Sequence, residues 1–162
     1  MSAEQAKKSA LPYAKSFKEL VAYQKSRRLA REVFEVTKRF PREEAFALTD
    51  QWRRAARSIG GQIAEAWAKR RYPRHFISKL TDADGEQQEA QHWTISAYDC
   101  AYLTREEARH FGEQTMEIGR ILGGMMDEAE SFRGDEFNLT LRDATSPYFT
   151  AEILDDPLNT EH

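Results

Sequence analysis

The stretch Thr49–Arg71, TDQWRRAARSIGGQIAEAWAKRR, combines an arginine-rich face with an alanine- and isoleucine-rich face. Its apolar positions recur at steps of three and four, the spacing that places side chains on one side of an α-helix. Gly60-Gly61 interrupts this pattern, and each glycine in a helix interior costs about 1 kcal/mol relative to alanine. The stretch therefore predicts a central helix that either kinks at the glycines or admits a close neighbour there.

Three further helices are predicted around this one. The first carries a seam of small and aliphatic residues and stops at Pro41, which removes a backbone donor. Composition also favours helix, because the chain is rich in strong helix formers and holds only 8 Gly and 5 Pro. The four helices are expected at about residues 17–40, 44–71, 74–101 and 105–131. Since short connections favour antiparallel neighbours, the predicted fold is all-α, an antiparallel up-down four-helix bundle.

The ends and the middle of these helices carry two further signals. Ser16 followed by Glu19, and Thr104 followed by Glu107, have the spacing of a capping box, in which each side chain satisfies a free backbone N–H group. The third helix is unusually polar along its middle, at Asp82, Asp84, Gln87, Gln88 and Gln91. Such residues are costly in the core of a monomer but acceptable beside a polar pore or the arginines of a neighbouring subunit. The pattern favours assembly over catalysis.

Length and charge divide the chain into three parts. Its 162 residues suit one domain, a bundle over 16–132. Residues 1–15 are short and polar and are predicted to form a flexible arm. Residues from Phe132 onward carry a net charge of −5, against +2 for the rest of the chain. The acidic tail, 133–162, is interpreted as mostly irregular, and the alternative is a strap that docks on its own bundle or on a neighbouring subunit.

Composition excludes several classes of protein. A formal charge of −3 and an isoelectric point near 5.9 argue against a generally basic nucleic-acid-binding protein. The single cysteine, Cys100, excludes an internal disulfide framework and fits a reducing compartment. The sequence contains no apolar run of about 18 residues for a membrane span, and its start lacks the apolar region of a signal peptide. We expect a cytoplasmic protein with no membrane partner.

The sequence contains no recognisable enzyme signature. Two Glu-x-x-His units, Glu89–His92 and Glu107–His110, have the spacing used by di-iron bundles, which add a glutamate from each of the other two helices. Glu35 and Glu65 would have to supply these glutamates. However, the two units differ in depth along the bundle by roughly 15 Å, at 1.5 Å per residue, which one metal pair cannot bridge. We expect no catalytic residue, no metal site and no cofactor.

Short fragments along the predicted bundle resemble one known family. They are Phe17-Lys18-Glu19-Leu20, Tyr23-Gln24, Phe40-Pro41, Leu48-Thr49, Arg53-Arg54-Ala55-Ala56, Ser58-Ile59, Ile63-Ala64-Glu65, Phe76, Gly85 with Glu89, and Tyr102-Leu103-Thr104-Arg105-Glu106-Glu107-Ala108. Their order and spacing over about residues 17–131 resemble the 23S rRNA intervening-sequence proteins. The resemblance implies a bundle that assembles into a ring, typically a homopentamer, with no established enzymatic activity. A more distant relative is the basic accessory protein of diversity-generating retroelements, which binds nucleic acid and a reverse transcriptase.

The chain departs from the family pattern in three places. Gly60-Gly61-Gln62 stands where the family has Pro-Ser-Asn, Ala66 replaces a glycine, and an acidic tail follows the bundle. The first two changes leave the fold intact, since a glycine pair can replace a proline kink. The tail and the negative total charge argue against a general RNA-binding role.

Two groups of residues are candidates for contacts with partners. One is expected to be structural or to hold a subunit interface through arginine–carboxylate pairs: Arg53, Arg54, Arg57, Glu65, Asp84 and Glu89. The other closes the second helix, where Trp67 and Tyr72 could stack a base beside phosphate-binding cations: Lys69, Arg70, Arg71 and Arg74. A solvated face that pairs with acidic residues of a neighbour or of the tail is the alternative for these cations.

The functional hypothesis is a non-enzymatic scaffold that assembles with itself, as a pentamer by the resemblance. The alternative is an RNA-binding accessory protein that uses the basic face and end of the second helix, and another protein as partner also stays open. A metal-dependent bundle enzyme is the third hypothesis.

Overall fold

Four α-helices account for most of residues 14–133, the part of the chain that the computed structural model describes. They are α1 (Val21–Thr37), α2 (Asp50–Ala68), α3 (Pro73–Asp99) and α4 (Arg105–Asp127). Consecutive helices pack against each other, and α4 also packs against α1, which closes the ring of a four-helix bundle. The predicted all-α bundle is confirmed. The predicted arm and tail fall almost entirely outside the described residues.

Short turns extend the helices at their ends. A 3-10 turn, Arg42–Glu44, leads into a π-helical turn, Ala45–Thr49, which continues directly into α2. Another 3-10 turn, Ala129–Phe132, follows α4 and packs against α3. Pro73 opens α3 at its first turn, where the missing backbone N–H would have had no partner in any case. In residues 14–133, no helix is both long and apolar enough to cross a membrane.

Aromatic side chains fill the core at both ends of the bundle. At one end, the ring of Trp52 lies 6.0 Å from that of Phe40 and 5.0 Å from that of Phe111. At the other end, the ring of Phe132 lies 5.0 Å from that of Phe76. Trp52 and Phe76 are fully buried. The 3-10 turn after α4 is thus anchored on the start of α3.

The predicted capping box at the start of the first helix is wrong. Ser16 makes no side-chain hydrogen bond there, and the Glu19 carboxylate instead accepts from the backbone N–H of Lys15 at 2.7 Å. Residues Phe17–Glu19 form a 3-10 turn, and α1 begins only at Val21. The regular helix thus starts later than the spacing predicts, and the Glu19 carboxylate satisfies the N–H of Lys15 rather than that of Ser16.

The second predicted capping box is confirmed at the start of α4. The backbone N–H of Glu107 donates to the hydroxyl of Thr104 at 3.2 Å. The backbone N–H of Thr104 donates to the Glu107 carboxylate at 2.8 Å. Two backbone N–H groups that would otherwise have no partner in the helix are therefore satisfied, as the spacing of Thr104 and Glu107 predicts.

The polar middle of α3 mostly faces outward, which corrects the expectation of a polar seam. Asp82 and Gln88 are exposed, and Asp84 and Gln91 are half-buried. Of this group only Gln87 is buried, and its side-chain oxygen finds no hydrogen-bond partner among the described residues. The helix therefore keeps most of its polar side chains out of the core, and these residues need no pore to be tolerated.

The Gly60-Gly61 pair lies inside α2, which continues through it as regular helix. A Cβ atom on Gly60 would lie 3.1 Å from Ser26 Oγ and 3.5 Å from the Tyr23 ring, both on α1. A Cβ atom on Gly61 would meet nothing within 4 Å. The close neighbour allowed by the sequence is therefore α1, and it approaches Gly60 only.

Gly61→Ala is expected to raise the free energy of unfolding by about 0.5–1 kcal/mol, because alanine loses less backbone entropy in a helix. Gly60→Ala is the matched control. It brings the same gain in propensity but pushes against Ser26 Oγ, which already donates to the Tyr23 carbonyl at 2.7 Å, so the gain should vanish or reverse. Urea denaturation followed by circular dichroism measures both variants, and equal stabilisation by both would contradict the contact at Gly60.

The C-terminus of α3 is a Schellman motif with alanine in the left-handed position. The N–H of Tyr102 donates to the carbonyl of Ala97, and the N–H of Ala101 to that of Tyr98, both at 2.9 Å. Ala101 has φ 60°. In this conformation the Cβ atom crowds a carbonyl oxygen, at a cost of roughly 1–2 kcal/mol for any residue but glycine.

Ala101→Gly is expected to stabilise the protein by about 1 kcal/mol, because glycine adopts the left-handed conformation without this strain. The same exchange at Ala64, in the interior of α2, is the control and should destabilise by about 1 kcal/mol. Thermal or urea unfolding of the two variants gives both values. A loss of stability at both positions would show that the turn carries no strain.

Candidate interface and anion-binding surfaces

Arg53 ties α2 to the last turn of α1. Its Nε donates to the Thr37 hydroxyl at 2.7 Å, and its NH2 group donates to the Phe34 carbonyl at 3.4 Å. The guanidinium also lies over the Phe34 ring, 4.7 Å from the centroid. A cation at the C-terminal end of a helix interacts favourably with its carbonyl groups and dipole. Within the chain, Arg53 therefore has a structural role that needs no partner subunit.

The other two arginines of the motif are more open. Arg57 is exposed, with its guanidinium 5.7 Å from the Phe34 ring. Arg54 is exposed and lies near enough to Glu86 to influence it electrostatically: burial and the charge of Glu89 raise the pKa of Glu86, and Arg54 opposes this rise. Among residues 14–133, neither arginine forms an ion pair within 4.0 Å. Both side chains are therefore available to a partner.

The candidate carboxylates make contacts within their own chain. Glu65 pairs with Lys79 at 2.9 Å, and this hydrogen bond lowers the pKa of Glu65. Glu89 accepts a hydrogen bond from the Trp93 indole N–H at 3.1 Å. Asp84 is half-buried beside α4. The structure therefore does not bring these carboxylates together with Arg53 in one chain, and arginine–carboxylate pairs between subunits stay a prediction.

The cations at the end of α2 form what we call the basic end, with the side chains of Lys69, Arg70, Arg71, Tyr72, Arg74 and His75. All of them are exposed except Arg70, and the Tyr72 side chain is 62% exposed. Arg70 packs its guanidinium 4.2 Å from the centroid of the Trp67 ring and donates to the Trp67 carbonyl at 2.9 Å. Within the described part of the chain, no carboxylate lies within 4.0 Å of the basic nitrogens of Lys69, Arg70, Arg71 or Arg74.

The outer sides of α3 and α4 form a second surface, the α3–α4 face, defined by Ile77, Gln88 and Ile95 on α3 and by Gly112, Met116 and Gly123 on α4. On α3, Gln88 and Ile95 follow Ile77 by 11 and 18 residues, which are close to whole numbers of helical turns, so the three positions lie on one line. On α4, Met116 and Gly123 follow Gly112 by 4 and 11 residues and are aligned in the same way. Ile95 is 55% exposed and Met116 45%. A Cβ atom on Gly112 or Gly123 would meet nothing within 4 Å.

Two contacts fix the register of this face. A Cβ atom on Gly119 would lie 2.9 Å from the side-chain oxygen of Gln87, and Thr81 Oγ1 lies 3.5 Å from the Met126 sulfur. Since the helices are antiparallel, Met116 lies beside the middle of α3, and Ile95 lies at the depth of Gly112. The two exposed apolar side chains are therefore about 6 Å apart along the bundle axis, at 1.5 Å per residue, and the open position Gly112 lies level with Ile95.

Glu107 links α4 to α1 as well as capping α4. Its carboxylate accepts from Arg39 NH2 at 2.5 Å, and Arg39 also donates to the Tyr102 carbonyl at 3.3 Å. The hydrogen bond from Arg39, supported by the Thr104 backbone N–H, lowers the pKa of Glu107 to about 2. Because the pKa of Glu107 is lower in the folded protein than in the unfolded chain, its ionised form stabilises the fold. This stabilisation is fully present above a pH of about 4.5, the pKa in the unfolded chain, and is lost as the pH falls towards 2.

Glu107→Gln is expected to lower the free energy of unfolding by about 1 kcal/mol at pH 7, because the amide keeps the cap but loses the ion pair, which is partly exposed to solvent. The difference from the wild type should shrink as the pH falls from about 5 to about 2, where the wild-type carboxyl is also neutral. Urea denaturation across this pH range checks it. Glu113→Gln, further along α4, is the control, and a pH-independent difference for Glu107→Gln would rule out the charge as the cause.

The two Glu-x-x-His units make separate local contacts. Glu89 binds the Trp93 indole, and the His92 ring packs against Trp93 with centroids 4.8 Å apart. His110 lies 2.6 Å from a carboxylate oxygen of Glu32, on α1, which also accepts from Gln114 at 2.7 Å. In residues 14–133, no group of three or more His, Cys, Asp or Glu side chains is placed to hold a metal ion.

Sequence reasoning missed the contacts between distant residues. Glu32 and His110 are 78 positions apart, and no local spacing joins them. The α3–α4 face had a signal that could have revealed it, because Ile77 and Ile95 lie off the buried seam of α3 and share one helical line. The stripe Gly112, Met116, Gly119 and Gly123 is rich in glycine, but nothing in the sequence distinguishes contact with α3 from contact with a partner.

Comparisons with known proteins agree with this architecture. The family model described as 23S rRNA-intervening sequence protein matches residues 18–124. A solved structure from Bacteroides thetaiotaomicron, described as a protein with unknown function from the S23 ribosomal protein family, is 26% identical with a TM-score of 0.58. That match covers 65% of this chain and 98% of the other. No curated protein matches the chain. Because the family model spans two thirds of the sequence and nearly the whole bundle, the chain belongs to the 23S rRNA-intervening sequence protein family.

Proposed function

We propose that this protein is a non-enzymatic scaffold that assembles with copies of itself through the α3–α4 face. The observation that carries the proposal is the exposure of Ile95 and Met116 on the same face as Gly112 and Gly123, which leave room for a neighbour's side chains. Contiguous exposed apolar side chains typically mark interaction sites. Glycines allow a second helix to approach closely, as they do where α1 meets α2.

The chemistry of the face suits a symmetric assembly. It is apolar at Ile95 and Met116 and carries an uncharged amide at Gln88, and the centre of stable interfaces is typically depleted of charge. The exposed Arg54 and Arg57 lie on α2, outside this face, and are suited to bidentate pairs with carboxylates of a neighbouring subunit. A ring of five subunits, as the family resemblance implies, would use two different surfaces on each subunit.

Multi-angle light scattering at micromolar concentration tests the scaffold. A pentamer would have a mass of about 94 kDa, five times that of the 18.8 kDa chain. Another closed oligomer would keep self-assembly and change only the subunit number. A monomer over the whole accessible concentration range would refute the proposal.

A second candidate function, binding of RNA, is favoured by the basic end. The four cations flank the exposed Tyr72 in sequence, and cations beside an aromatic ring can pair with phosphate and stack on a base. A gel shift with structured RNA at about 50 mM salt, where phosphate contacts are strongest, tests this candidate. Arg71→Ala/Arg74→Ala should weaken any shift, whereas Arg105→Ala, in the first turn of α4, is the control. No shift at low salt would exclude it.

A further inference from the structure

We infer that the basic end is an interaction surface for the acidic C-terminal segment of the same chain, with residues 148–156, YFTAEILDD, as the part that binds it. This goes beyond self-assembly and does not depend on RNA binding. It rests on three features: the open cations of the basic end, the point where the described chain ends, and the sequence that follows that point.

The cations of the basic end have the charge and exposure that an acidic peptide needs. Lys69, Arg71 and Arg74 are exposed and have no carboxylate within 4.0 Å among residues 14–133. The nearest acidic side chain in sequence, Glu65, is already paired with Lys79. Since four like charges close together repel one another, a carboxylate-bearing partner gains favourable contacts there.

The described chain ends beside this surface. Phe132 packs its ring 5.0 Å from that of Phe76, and Arg74 and His75 directly precede Phe76 on α3. The chain therefore leaves the described bundle next to the basic end. The 14 residues between Phe132 and residue 147 could span up to about 50 Å if extended, so residues 148–156 can reach the cations. A tethered segment has an effective concentration in the millimolar range, far above that of a free peptide.

The composition of the segment complements the surface. Residues 134–162 contain seven acidic residues against one arginine. Three of the acids, Glu152, Asp155 and Asp156, lie in residues 148–156 together with Tyr148, Phe149, Ile153 and Leu154. The basic end offers cations and the 62% exposed ring of Tyr72, and Ile77, one turn into α3, is partly exposed. A segment with both carboxylates and apolar side chains matches a surface with both cations and apolar groups.

If residues 148–156 occupy the basic end, other anionic partners must compete with them for it. Any other anionic partner would first have to displace residues 148–156, and its apparent affinity would fall accordingly. The basic end would therefore bind only those anionic partners whose affinity is high enough to displace the segment.

A zero-length carbodiimide cross-link in the full-length protein tests the inference. Lys69 should form amide bonds with Glu152, Asp155 or Asp156, mapped by mass spectrometry, about tenfold more often than Lys38, because tethering concentrates the segment at one end of the bundle. Lys38 is the internal control, since it is exposed and lies at the end of α1. At about 1 M salt, where the Debye length falls to about 3 Å, the enrichment should be lost. Mixing isotope-labelled and unlabelled protein shows whether each link joins one chain or two.

Two neutralised variants of the full chain give an independent readout. Glu152→Gln/Asp155→Asn/Asp156→Asn should speed hydrogen exchange in residues 69–76, because the bound segment no longer covers them. Asp135→Asn/Glu136→Gln/Asp143→Asn removes the same charge outside residues 148–156 and should leave this exchange unchanged. Equal cross-linking of Lys69 and Lys38, links only between chains, or equal effects of the two triple variants would each overturn the inference.

Discussion

Trp52→Ala is expected to lower the free energy of unfolding by about 3–5 kcal/mol. Trp52 is fully buried in α2, and its ring contacts those of Phe40 and Phe111. It therefore joins α2 to the turn after α1 and to α4 at one end of the bundle. Since a domain of this size is stable by only about 5–15 kcal/mol in total, the alanine variant should be partly unfolded near physiological temperature.

Trp52→Phe separates packing from hydrogen bonding. The Trp52 indole N–H has no hydrogen-bond partner among the described residues, and a buried donor without a partner costs about 1–3 kcal/mol. Phenylalanine removes this donor and keeps most of the aromatic contact, so we expect a loss well below that of alanine. Urea denaturation at one fixed protein concentration, followed by far-UV circular dichroism, measures both variants. Equal losses would mean that the indole N–H is satisfied in solution.

The apolar period of α2 was sufficient to predict this part of the core. Trp52, Ile59 and Ile63 fall on one side of the helix by spacing alone, and all three are fully buried. The cap at Thr104 was also predictable, because both of its partners lie within four residues of each other. Periodicity and local capping act over one or two helical turns, so the sequence displays them directly.

Contacts that depend on how the helices pack could not be predicted in this way. Ser16 and Glu19 have the spacing of a capping box, but spacing does not show that the next residues form a 3-10 turn. Gly60 and Gly61 are adjacent and chemically identical, and only the approach of α1 distinguishes them. The tie of Arg53 to the Phe34 carbonyl spans 19 residues. In each case the deciding neighbour comes from another element.

Of the two candidate surfaces, one could be predicted from the sequence and the other could not. The cations of the basic end were evident as a run along the chain, whereas the α3–α4 face required knowledge of the register between two helices. An exposed isoleucine is common on soluble proteins and carries no meaning alone. Ile95 becomes informative because Met116 and the open position Gly112 lie beside it.

Ile95→Glu/Met116→Glu is expected to convert the proposed oligomer into a monomer of 18.8 kDa. At the centre of the proposed interface, the two carboxylates would each have to lose water without gaining a cation, and uncompensated burial of charge costs several kcal/mol. A loss of about 3 kcal/mol would raise the dissociation constant by more than 100-fold. Light scattering over a dilution series measures the change, and far-UV circular dichroism should be unaltered because both side chains are exposed on the bundle surface.

Phe46→Glu is the matched control for this variant. The Phe46 side chain is 85% exposed, but it lies in the turn before α2 and not on α3 or α4. Introducing a carboxylate there tests whether charge on any exposed apolar residue disrupts assembly. We expect Phe46→Glu to keep the oligomeric mass. Dissociation by Phe46→Glu together with a preserved oligomer for Ile95→Glu/Met116→Glu would move the interface to that end of the bundle and refute the role of the α3–α4 face.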